Sequence, residues 1–342
     1  MRVAVYYHNQ DVRVEERPIP QIGPNELLMR VARSGVCGSD VMEWYRRPRA
    51  PVVLGHEIAG HVAAAGKQVQ GYKEGDRVTA AHHVPCNACH YCLAGHHTLC
   101  DTLQRTDFDP GGFAEYIRLT PLHVDRGVFH LPPDVSDEDA VFVEPLACVL
   151  RAQRRAGLRR AQSVLVVGSG IAGLLHVKLA RASGAGLILA ADINEFRLQA
   201  ARRFGADAAL PAEGDLSALV RQANDGDLAD LVIVCTSAGS AIAKALAAVR
   251  PGGTLLFFAP ATPELMLPMR FNDVFWRTDL TLTTSYGASP ADYAAALVLL
   301  HHRRVQVQDM VTHRLGLSQV GLGFQLVAEA KESIKVVLDH DR

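Results

Sequence analysis

A glycine-rich turn between an apolar run and a helical run restricts the fold of this chain more than any other feature. The turn spans residues 168–173 (G-S-G-I-A-G) and lies between Val164–Val167 and Leu174–Ala182. An acidic residue, Asp192, follows nineteen positions after the last glycine. This combination is typical of a dinucleotide-binding βαβ unit, whereas the glycine pattern alone is weak. The chain is therefore expected to contain a parallel sheet with helices on its faces.

The residues of the turn each have a physical role in this interpretation. Gly168 permits the tight turn, Gly170 lets the backbone approach a pyrophosphate, and Gly173 lets helix and strand pack closely. The helix N-terminus offers unpaired N–H groups and a positive dipole end to the phosphates. The predicted cofactor-binding residues of the turn are Gly168, Ser169, Gly170, Ile171, Ala172 and Gly173. A tight βα turn without a ligand is the alternative.

The residues after the second strand indicate which dinucleotide is bound. Asp192 is predicted to accept hydrogen bonds from both adenosine ribose hydroxyls, and its charge would repel a 2′-phosphate. NAD is therefore predicted rather than NADP. Arg197 either flanks the ribose or adenine or is a solvated arginine on a helix face.

The pattern of the chain changes near Ser163 and indicates two domains, in keeping with a length of 342 residues. The part before Ser163 is rich in short strand patterns and turn signals. After it, six apolar strand candidates mostly alternate with helical segments and complete a doubly wound fold. These candidates are Ser163–Val167, Leu187–Ala191, Ala208–Leu210, Leu231–Val234, Thr254–Phe258 and Leu280–Thr284. The final part, with a helix at Ala291–His302 and a strand at Ile334–Leu338, is not placed by pattern alone.

Composition excludes several classes of protein. A formal net charge of −1 argues against a dedicated nucleic-acid or anionic-membrane binder, which needs a basic surface. The sequence contains no apolar run of about 18 residues, so no spanning helix is expected. It also shows no signal-peptide pattern, and a cytoplasmic location is expected by default.

Four of the seven cysteines lie close together in the chain. Cys86, Cys89, Cys92 and Cys100 follow the pattern C-x₂-C-x₂-C-x₇-C, which suits a closed tetrahedral zinc site with a structural role. Buried or disulfide-paired cysteines, or a nucleic-acid-binding zinc ribbon, are the alternatives. The neutral charge and the single short lobe disfavour the ribbon.

A second group of potential ligands is dispersed along the chain. It comprises Cys37-Gly38-Ser39-Asp40, Gly55-His56-Glu57 and Glu144-Pro145-Leu146. Taken singly, each of these segments is ordinary. Together with Gly60, Gly66 and Val69, however, they resemble the signature of the zinc-containing medium-chain alcohol dehydrogenases. The resemblance extends over essentially the whole chain, in the family's order, and is greatest to the sorbitol (polyol) and threonine dehydrogenase branch.

This resemblance implies a fold and a zinc-ligand set. The fold is α/β, with a β-rich GroES-like catalytic domain at residues 1–144 and 286–342 and a doubly wound Rossmann cofactor domain at 145–285. Cys37 and His56 are implied as ligands of a catalytic zinc. Glu57 is a ligand or near-ligand, and Glu144 takes the fourth position directly or through water. Two bound carboxylates would leave the site negative and oppose deprotonation of an alcohol, so at least one glutamate is expected to move away from the zinc when substrate binds.

The implied chemistry is hydride transfer between NAD and a secondary alcohol carbon, with zinc as Lewis acid. Ser39 matches the family's hydroxyl relay for the proton. Met42 occupies the position where many relatives have a histidine, and its thioether cannot carry a proton. The proton then leaves either from Ser39 through the cofactor ribose and water, or with Glu144 or Glu57 acting as base.

The expected substrate is a small polyol, sugar alcohol or cyclitol. Glu43, Trp44, Ser285 and Tyr286 are predicted pocket residues, with Ser285 where polyol enzymes of the branch have an arginine. Their chemistry favours a neutral cyclic or amino polyol over a sugar phosphate, although Glu43 is equally consistent with a surface residue. A threonine or amino-alcohol dehydrogenase and a catalytically silent NAD-binding protein are the alternatives. Relatives suggest a homodimer or homotetramer, and the pair His82-His83 is interpreted as having no ligand role.

Overall fold

The computed structural model describes residues 1–267 and 269–342, which form two compact units. The first unit contains Met1–Ala147 and Ala288–Arg342, and the second contains Cys148–Gly287. Among the described residues, no helix is long and apolar enough to cross a membrane.

The strands are numbered in chain order. They are β1 Arg2–His8, β2 Asp11–Glu16, β3 Leu27–Val36, β4 Val52–Val53, β5 Glu57–Ala65, β6 Arg77–Ala80, β7 Tyr116–Leu119, β8 Val128–His130, β9 Ser163–Val167, β10 Leu187–Asp192, β11 Ala208–Pro211, β12 Ala229–Val234, β13 Val249–Phe257, β14 Thr281–Thr284, β15 Val311–Gly316 and β16 Lys335–Asp339.

The α-helices are numbered in the same way. They are α1 Glu43–Arg46, α2 His90–Leu93, α3 Asp101–Arg105, α4 Pro121–Arg126, α5 Asp137–Ala140, α6 Val143–Arg155, α7 Ile171–Ala182, α8 Glu195–Arg203, α9 Leu216–Ala223, α10 Gly239–Ala247, α11 Phe271–Phe275, α12 Pro290–His301 and α13 Val320–Glu329. Short 3₁₀ helices lie at Arg47–Arg49, His97–Leu99, Gln308–Met310 and Leu317–Gln319.

The first unit is built mainly from two sheets. One has the order β2-β1-β4; the other has the order β15-β16-β3-β5-β6-β8, with β7 also paired to β3. The first five residues of the long strand β3 alternate between buried and less buried positions, as expected where one face of an antiparallel sheet packs on a core. Tyr6, Phe113 and Phe324 are fully buried in that core. The ring centroid of Phe324 lies 5.7 Å from that of Tyr6 and 5.8 Å from that of Phe113. The last two strands of the chain thus join the sheet of the N-terminal part.

The second unit contains a parallel sheet of order β11-β10-β9-β12-β13-β14. Numbered within the unit, this is the 3-2-1-4-5-6 order of a complete doubly wound dinucleotide-binding fold. All five residues of β9 are buried, which explains its uninterrupted apolar sequence. The six strands predicted from the sequence are all present.

Most strand boundaries lie within two residues of the sequence prediction, but the start of β13 lies five residues earlier. β13 begins at Val249 rather than Thr254, because Val249 pairs with Ala229 before a register shift in the Gly252-Gly253 region. α12 begins at Pro290, where Ser289 and Asp292 form a capping box. Pro251, Gly252 and Gly253 thus lie within an irregular strand, and Pro290 takes the first position of a helix.

Candidate active site

Two neighbouring strands of the first unit, β3 and β5, bring Cys37, His56 and Glu57 to one edge of its larger sheet. β3 ends at Val36, just before Cys37, and antiparallel β5 begins at Glu57, just after His56. Gly35 pairs with Glu57 across these strands. Antiparallel neighbours run in opposite directions, so the residue after one strand lies beside the residue before the other.

The ligand atoms converge at this edge. Cys37 Sγ, a ring nitrogen of His56 and a carboxylate oxygen of Glu57 all lie within 4.8 Å of one another. Thiolate, imidazole and carboxylate are the donors that catalytic zinc sites use, with one position left for substrate. The side chains at this edge therefore fit a zinc ion.

The loop after β3 fixes the position of the Cys37 sulfur. The Asp40 carboxylate accepts a hydrogen bond from the Cys37 N–H at 3.0 Å, and the Ser39 N–H donates to Cys37 Sγ at 3.4 Å. Asp40 is fully buried. A buried aspartate closing the turn in this way fixes the backbone of Cys37 and hence the position of its sulfur.

Asp40 also lies beside the histidine. Its Oδ1 lies 3.5 Å from His56 Nδ1, which leaves Nε2 as the nitrogen available to a metal. Burial opposes protonation of His56, yet the Asp40 carboxylate and Cys37 Sγ hold its pKa well above the ordinary value. Glu144, the second residue of α6, adds to the same negative field. Several negatively charged groups around an imidazole favour the binding of a divalent cation beside it.

Glu57 is paired with a buried lysine. Lys335 Nζ donates to Glu57 Oε2, and both side chains are almost completely buried. Lys335 reaches this position because β16 pairs with β3 on the side opposite β5. A Cβ at Gly35 would lie 2.2 Å from Glu57 Oε2 and 2.7 Å from Lys335 Cε, so only glycine leaves room for the pair.

The serine of the expected relay lies in the same loop. Ser39 Oγ accepts a hydrogen bond from Arg46 Nη2 at 3.3 Å, and the Ser39 carbonyl accepts one from Arg46 Nε at 3.0 Å. Met42 precedes α1 as its N-cap residue. Its thioether contributes no exchangeable proton at this point of the loop.

The four-cysteine lobe has the geometry of a closed metal site. The Sγ atoms of Cys89 and Cys92, and those of Cys86 and Cys100, are 3.6 Å apart, and all four lie within 4.8 Å of one another. A tetrahedron with Zn–S bonds of about 2.3 Å has edges of about 3.8 Å. Disulfide-bonded sulfurs would be far closer, so the disulfide alternative is wrong.

Backbone amides prepare this lobe for a cation. The N–H groups of Ala88 and Cys89 donate to Cys86 Sγ at 3.4 and 3.3 Å and lower the pKa of the Cys86 thiol. Cys86 N in turn donates to Cys100 Sγ at 3.4 Å. Amide donors of this kind stabilise thiolates and orient metal ligands. The lobe fits zinc.

The glycines of the turn in the second unit are of two kinds: those that the fold itself requires and one that leaves space for a ligand. Gly168 has φ of +95°, and a Cβ at Gly173 would lie 1.9 Å from the Gly168 carbonyl oxygen, so the fold itself requires both. A Cβ at Gly170 would meet nothing closer than Arg197 Nη1 at 3.9 Å. Gly170 thus leaves open space at the start of α7, where a pyrophosphate is expected, and the residues present fit a dinucleotide.

Asp192 is held in place at the end of β10. Its carboxylate accepts hydrogen bonds from the N–H of Ser169 at 2.7 Å and of Asn194 at 2.9 Å. The side chain of Arg197 extends over the glycine turn and its Nε is buried, so it is not the fully solvated helix-face arginine of the alternative interpretation. An anchored carboxylate and an arginine therefore lie beside the turn.

The predicted pocket residues are divided between the units. In the first unit, Glu43 is half-buried and its Oε1 accepts a hydrogen bond from Asn9 N at 3.0 Å, while Trp44 is exposed. In the second unit, Ser285 follows β14 and Tyr286 is exposed. Glu43 is thus not the purely solvated residue of the alternative interpretation.

Comparison with known proteins identifies the family. The family model described as the alcohol dehydrogenase GroES-like domain matches residues 23–132, and that described as zinc-binding dehydrogenase matches residues 172–302. The sorbitol dehydrogenase of Gallus gallus is 31% identical over 351 residues, covering 99% of this chain and 96% of that protein. The chain belongs to the zinc-containing medium-chain alcohol dehydrogenases. The resemblance and the fold class inferred from the sequence are confirmed.

Other members of this superfamily narrow its branch. The L-threonine 3-dehydrogenase of Symbiobacterium thermophilum is 31% identical and covers 96% of this chain and 94% of its own length. The structure of alcohol dehydrogenase TADH from Thermus sp. ATN1 has a TM-score of 0.84 and 31% identity and covers 99% of both chains. This medium-chain dehydrogenase therefore belongs to the sorbitol and threonine dehydrogenase branch and is an NAD-dependent zinc alcohol dehydrogenase.

Sequence reasoning assigned no role to four residues that lie beside the ligands and the relay serine of this dehydrogenase. Asp40, Arg46 and Lys335 support the predicted ligands and relay, and His82 has its ring centroid 4.9 Å from that of His56. Burial and the neighbouring His83 hold the pKa of His82 well below its ordinary value, so it is a neutral imidazole. One signal was available: Lys335 is a charged residue inside an apolar strand, and buried lysines need partners.

The two kinds of glycine give a test within one turn of helix. Gly173→Ala is expected to destabilise the second unit by roughly 1–3 kcal/mol, because the added methyl group overlaps a backbone carbonyl. Gly170→Ala should melt like the wild type but bind NADH at least about tenfold more weakly, because the methyl group enters ligand space. Thermal melting and NADH fluorescence titration measure both. Equal NADH affinity in Gly170→Ala and the wild type would contradict a pyrophosphate at this turn.

Proposed function

We propose that this dehydrogenase transfers a hydride between NAD and a secondary alcohol carbon of a small polyol, sugar alcohol or cyclitol. The observation that carries this proposal is the convergence of Cys37, His56 and Glu57 on one point, with the buried Asp40 carboxylate 3.5 Å from the His56 ring. A protein that only binds NAD has no use for such a site. The silent-protein alternative is therefore disfavoured.

The side chains at the edge of the sheet have distinct roles in this proposal. Bound zinc would supply a Lewis acid for the alcohol oxygen, and bound NAD an acceptor for the hydride. Cys37, His56 and Glu144 hold the metal. Glu57 stays close to it as a near-ligand, because Lys335 shares its charge and restrains Oε2. This arrangement keeps net negative charge low, which favours deprotonation of the alcohol.

The proton leaves through Ser39 in this proposal. Its hydroxyl has one donor and two acceptor positions, so it can accept the proton of the alcohol and pass on its own. Glu57 is not assigned the role of base, because its Oε2 accepts a hydrogen bond from Lys335. Beyond Ser39 the route passes through the cofactor ribose and water, since Met42 offers no acceptor for a proton transfer.

The preference for NAD over NADP rests on Asp192. Two backbone N–H groups hold its carboxylate at the end of β10, so the charge cannot swing away from a ribose 2′-phosphate. We therefore propose that this carboxylate accepts from the ribose hydroxyls, with Arg197 over the turn beside it.

A neutral substrate is favoured over an anionic one. Ser285 supplies a hydroxyl where polyol dehydrogenases of the branch have an arginine, and Glu43 adds negative charge near α1. A threonine-type substrate is the second candidate, because a threonine dehydrogenase matches at the same 31% identity as a sorbitol dehydrogenase. The two candidates differ in whether the substrate carries an ammonium and a carboxylate.

A substrate panel tests the proposal. NADH formation at 340 nm would be followed with linear polyols, cyclitols, amino alcohols, L-threonine and a sugar phosphate, each with NAD⁺ and with NADP⁺. We expect the highest kcat/KM for a neutral polyol or cyclitol with NAD⁺. A preference for the sugar phosphate would contradict the pocket assignment, and a preference for NADP⁺ would contradict the role of Asp192.

We also propose a cytoplasmic homodimer or homotetramer. The outer edge of β14 pairs with no other strand in the described part of the chain, and exposed apolar side chains lie on β14 and in the segments that precede and follow it in the sequence. They are Phe271, Phe275, Trp276, Leu282 and Tyr286. An open edge strand with an apolar surround is suited to pairing with its own copy across a two-fold axis. Light scattering on the eluting protein should give two or four times the chain mass of 37.0 kDa. The cytoplasmic location is supported by the free thiols of the lobe, which suit a reducing compartment.

A further inference from the structure

Arg46 is directed into the zinc loop rather than into solvent. It is the last residue of α1, and its side chain is only 14% exposed. Its guanidinium donates to the Ser39 carbonyl at 3.0 Å and to Ser39 Oγ at 3.3 Å. An arginine that donates two hydrogen bonds to one residue holds that residue in a fixed orientation.

Two further contacts keep the guanidinium in place. Its Nη2 lies 3.7 Å from Oδ1 of the fully buried Asp40, and its Cζ lies 4.7 Å from the ring centroid of Tyr45. The ion pair and the aromatic face confine the side chain from two sides. Arg46 is therefore fixed before any substrate binds.

The contact with Arg46 limits the further hydrogen bonds that the Ser39 hydroxyl can make. Arg46 occupies one acceptor position of the hydroxyl, which leaves one acceptor position and the hydroxyl proton for other partners. The nearby positive charge also favours a state in which negative charge develops on the serine oxygen. Arginine keeps its own proton, so it does not replace the histidine that is missing at Met42.

We infer that Arg46 is a positioning residue that orients the Ser39 hydroxyl for proton transfer from the alcohol. This inference rests on the proposed function of the site. Arg46 is thus an additional residue for the reaction, distinct from the zinc ligands, the glycine turn and Ser39. In its absence the hydroxyl would rotate freely, and a smaller fraction of bound alcohol would meet an acceptor.

The test uses the zinc-loaded chain with NAD⁺ and the probe 2,2,2-trifluoroethanol, an acidic alcohol that gives up hydride poorly. Its dissociation constant would be measured by calorimetry for the wild type, Arg46→Met, Arg46→Lys, Ser39→Ala and the double variant Ser39→Ala/Arg46→Met. Arg49→Met is the matched control, because Arg49 also lies over the Tyr45 ring, at 4.5 Å, but is exposed and has no hydrogen bond to Ser39 among the described contacts. Zinc content and NADH affinity accompany each measurement.

We expect Arg46→Met to bind trifluoroethanol about tenfold more weakly, with zinc content and NADH affinity unchanged. Arg46→Lys should recover part of the affinity, and Arg49→Met should match the wild type. In the Ser39→Ala background, Arg46→Met should change the affinity by less than about twofold, because both act through one hydroxyl. For the fastest substrate of the panel, Arg46→Met should lower kcat with little change in KM.

Three results would overturn the inference. They are wild-type affinity in Arg46→Met, an undiminished effect of Arg46→Met in the Ser39→Ala background, and loss of zinc from Arg46→Met, which would assign the arginine to Asp40 and His56 instead. Trifluoroethanol binding requires no turnover. A wild type that oxidises nothing in the panel would therefore count against the proposed function alone.

Discussion

Cys37→Ser is expected to lower NAD-dependent alcohol oxidation at least about 1,000-fold and to remove one of two zinc ions from each chain. Serine keeps the size of the side chain but is a far weaker zinc ligand than thiolate. The remaining donors around His56 then hold the metal poorly. Because Cys37 lies on a loop after β3 and outside the buried core, the melting temperature should fall little.

Cys100→Ser is the matched control for this variant. It removes the same kind of atom from the other cysteine site, in a lobe closed by four sulfurs. This variant should also lose one zinc, but its main defect should be a lower melting temperature, because a structural zinc contributes directly to folding. Elemental analysis, melting curves and initial rates separate the two variants. Full turnover in Cys37→Ser, or an intact lobe zinc in Cys100→Ser, would contradict the assignment of the two sites.

Lys335→Met is expected to lower the free energy of unfolding by roughly 3–5 kcal/mol, because it leaves the buried Glu57 carboxylate without its partner. Both side chains of the pair are at most 1% exposed, so water cannot replace the lost contact. Glu57→Gln in the Lys335→Met background should recover at least half of the loss, since it removes the unpaired charge. Denaturant unfolding of all variants measures the effect.

The pair between Arg314 and Glu138 gives a control of similar chemistry. Its nitrogen and oxygen are 2.7 Å apart, but the Arg314 side chain is 51% exposed. Arg314→Met should therefore cost no more than about 1 kcal/mol, as exposed ion pairs usually do. A Lys335→Met variant as stable as Arg314→Met would show that Glu57 finds another partner or is uncharged in the folded protein.

Local signals made the cofactor unit predictable from the sequence. The six strands of its sheet are short apolar runs, and the turn at 168–173 carries its own conformational requirement, so pattern and glycine chemistry point to one fold. The cysteine lobe was equally local, because four ligands in fifteen residues constrain one another. Only boundaries were wrong, as at Val249, where pairing outside the pattern extends β13.

The catalytic site depends on contacts that the linear sequence does not display. Cys37 and His56 meet because β3 and β5 are antiparallel neighbours, and Lys335 arrives from the far end of the chain through β16. Arg46 reaches Ser39 over seven residues through a helix too short to show a periodic pattern. For these residues the resemblance to a family supplied the ligands, and only the structure supplied the side chains that hold them.

The most direct measurement is the zinc content of the purified chain, followed together with its NAD-dependent turnover while the more labile zinc is removed by a chelator and then restored. The account predicts two zinc ions per chain, loss of turnover in proportion to loss of the first, and recovery when Zn²⁺ is added back. Full turnover in a chain that retains only the zinc of the cysteine lobe would contradict it.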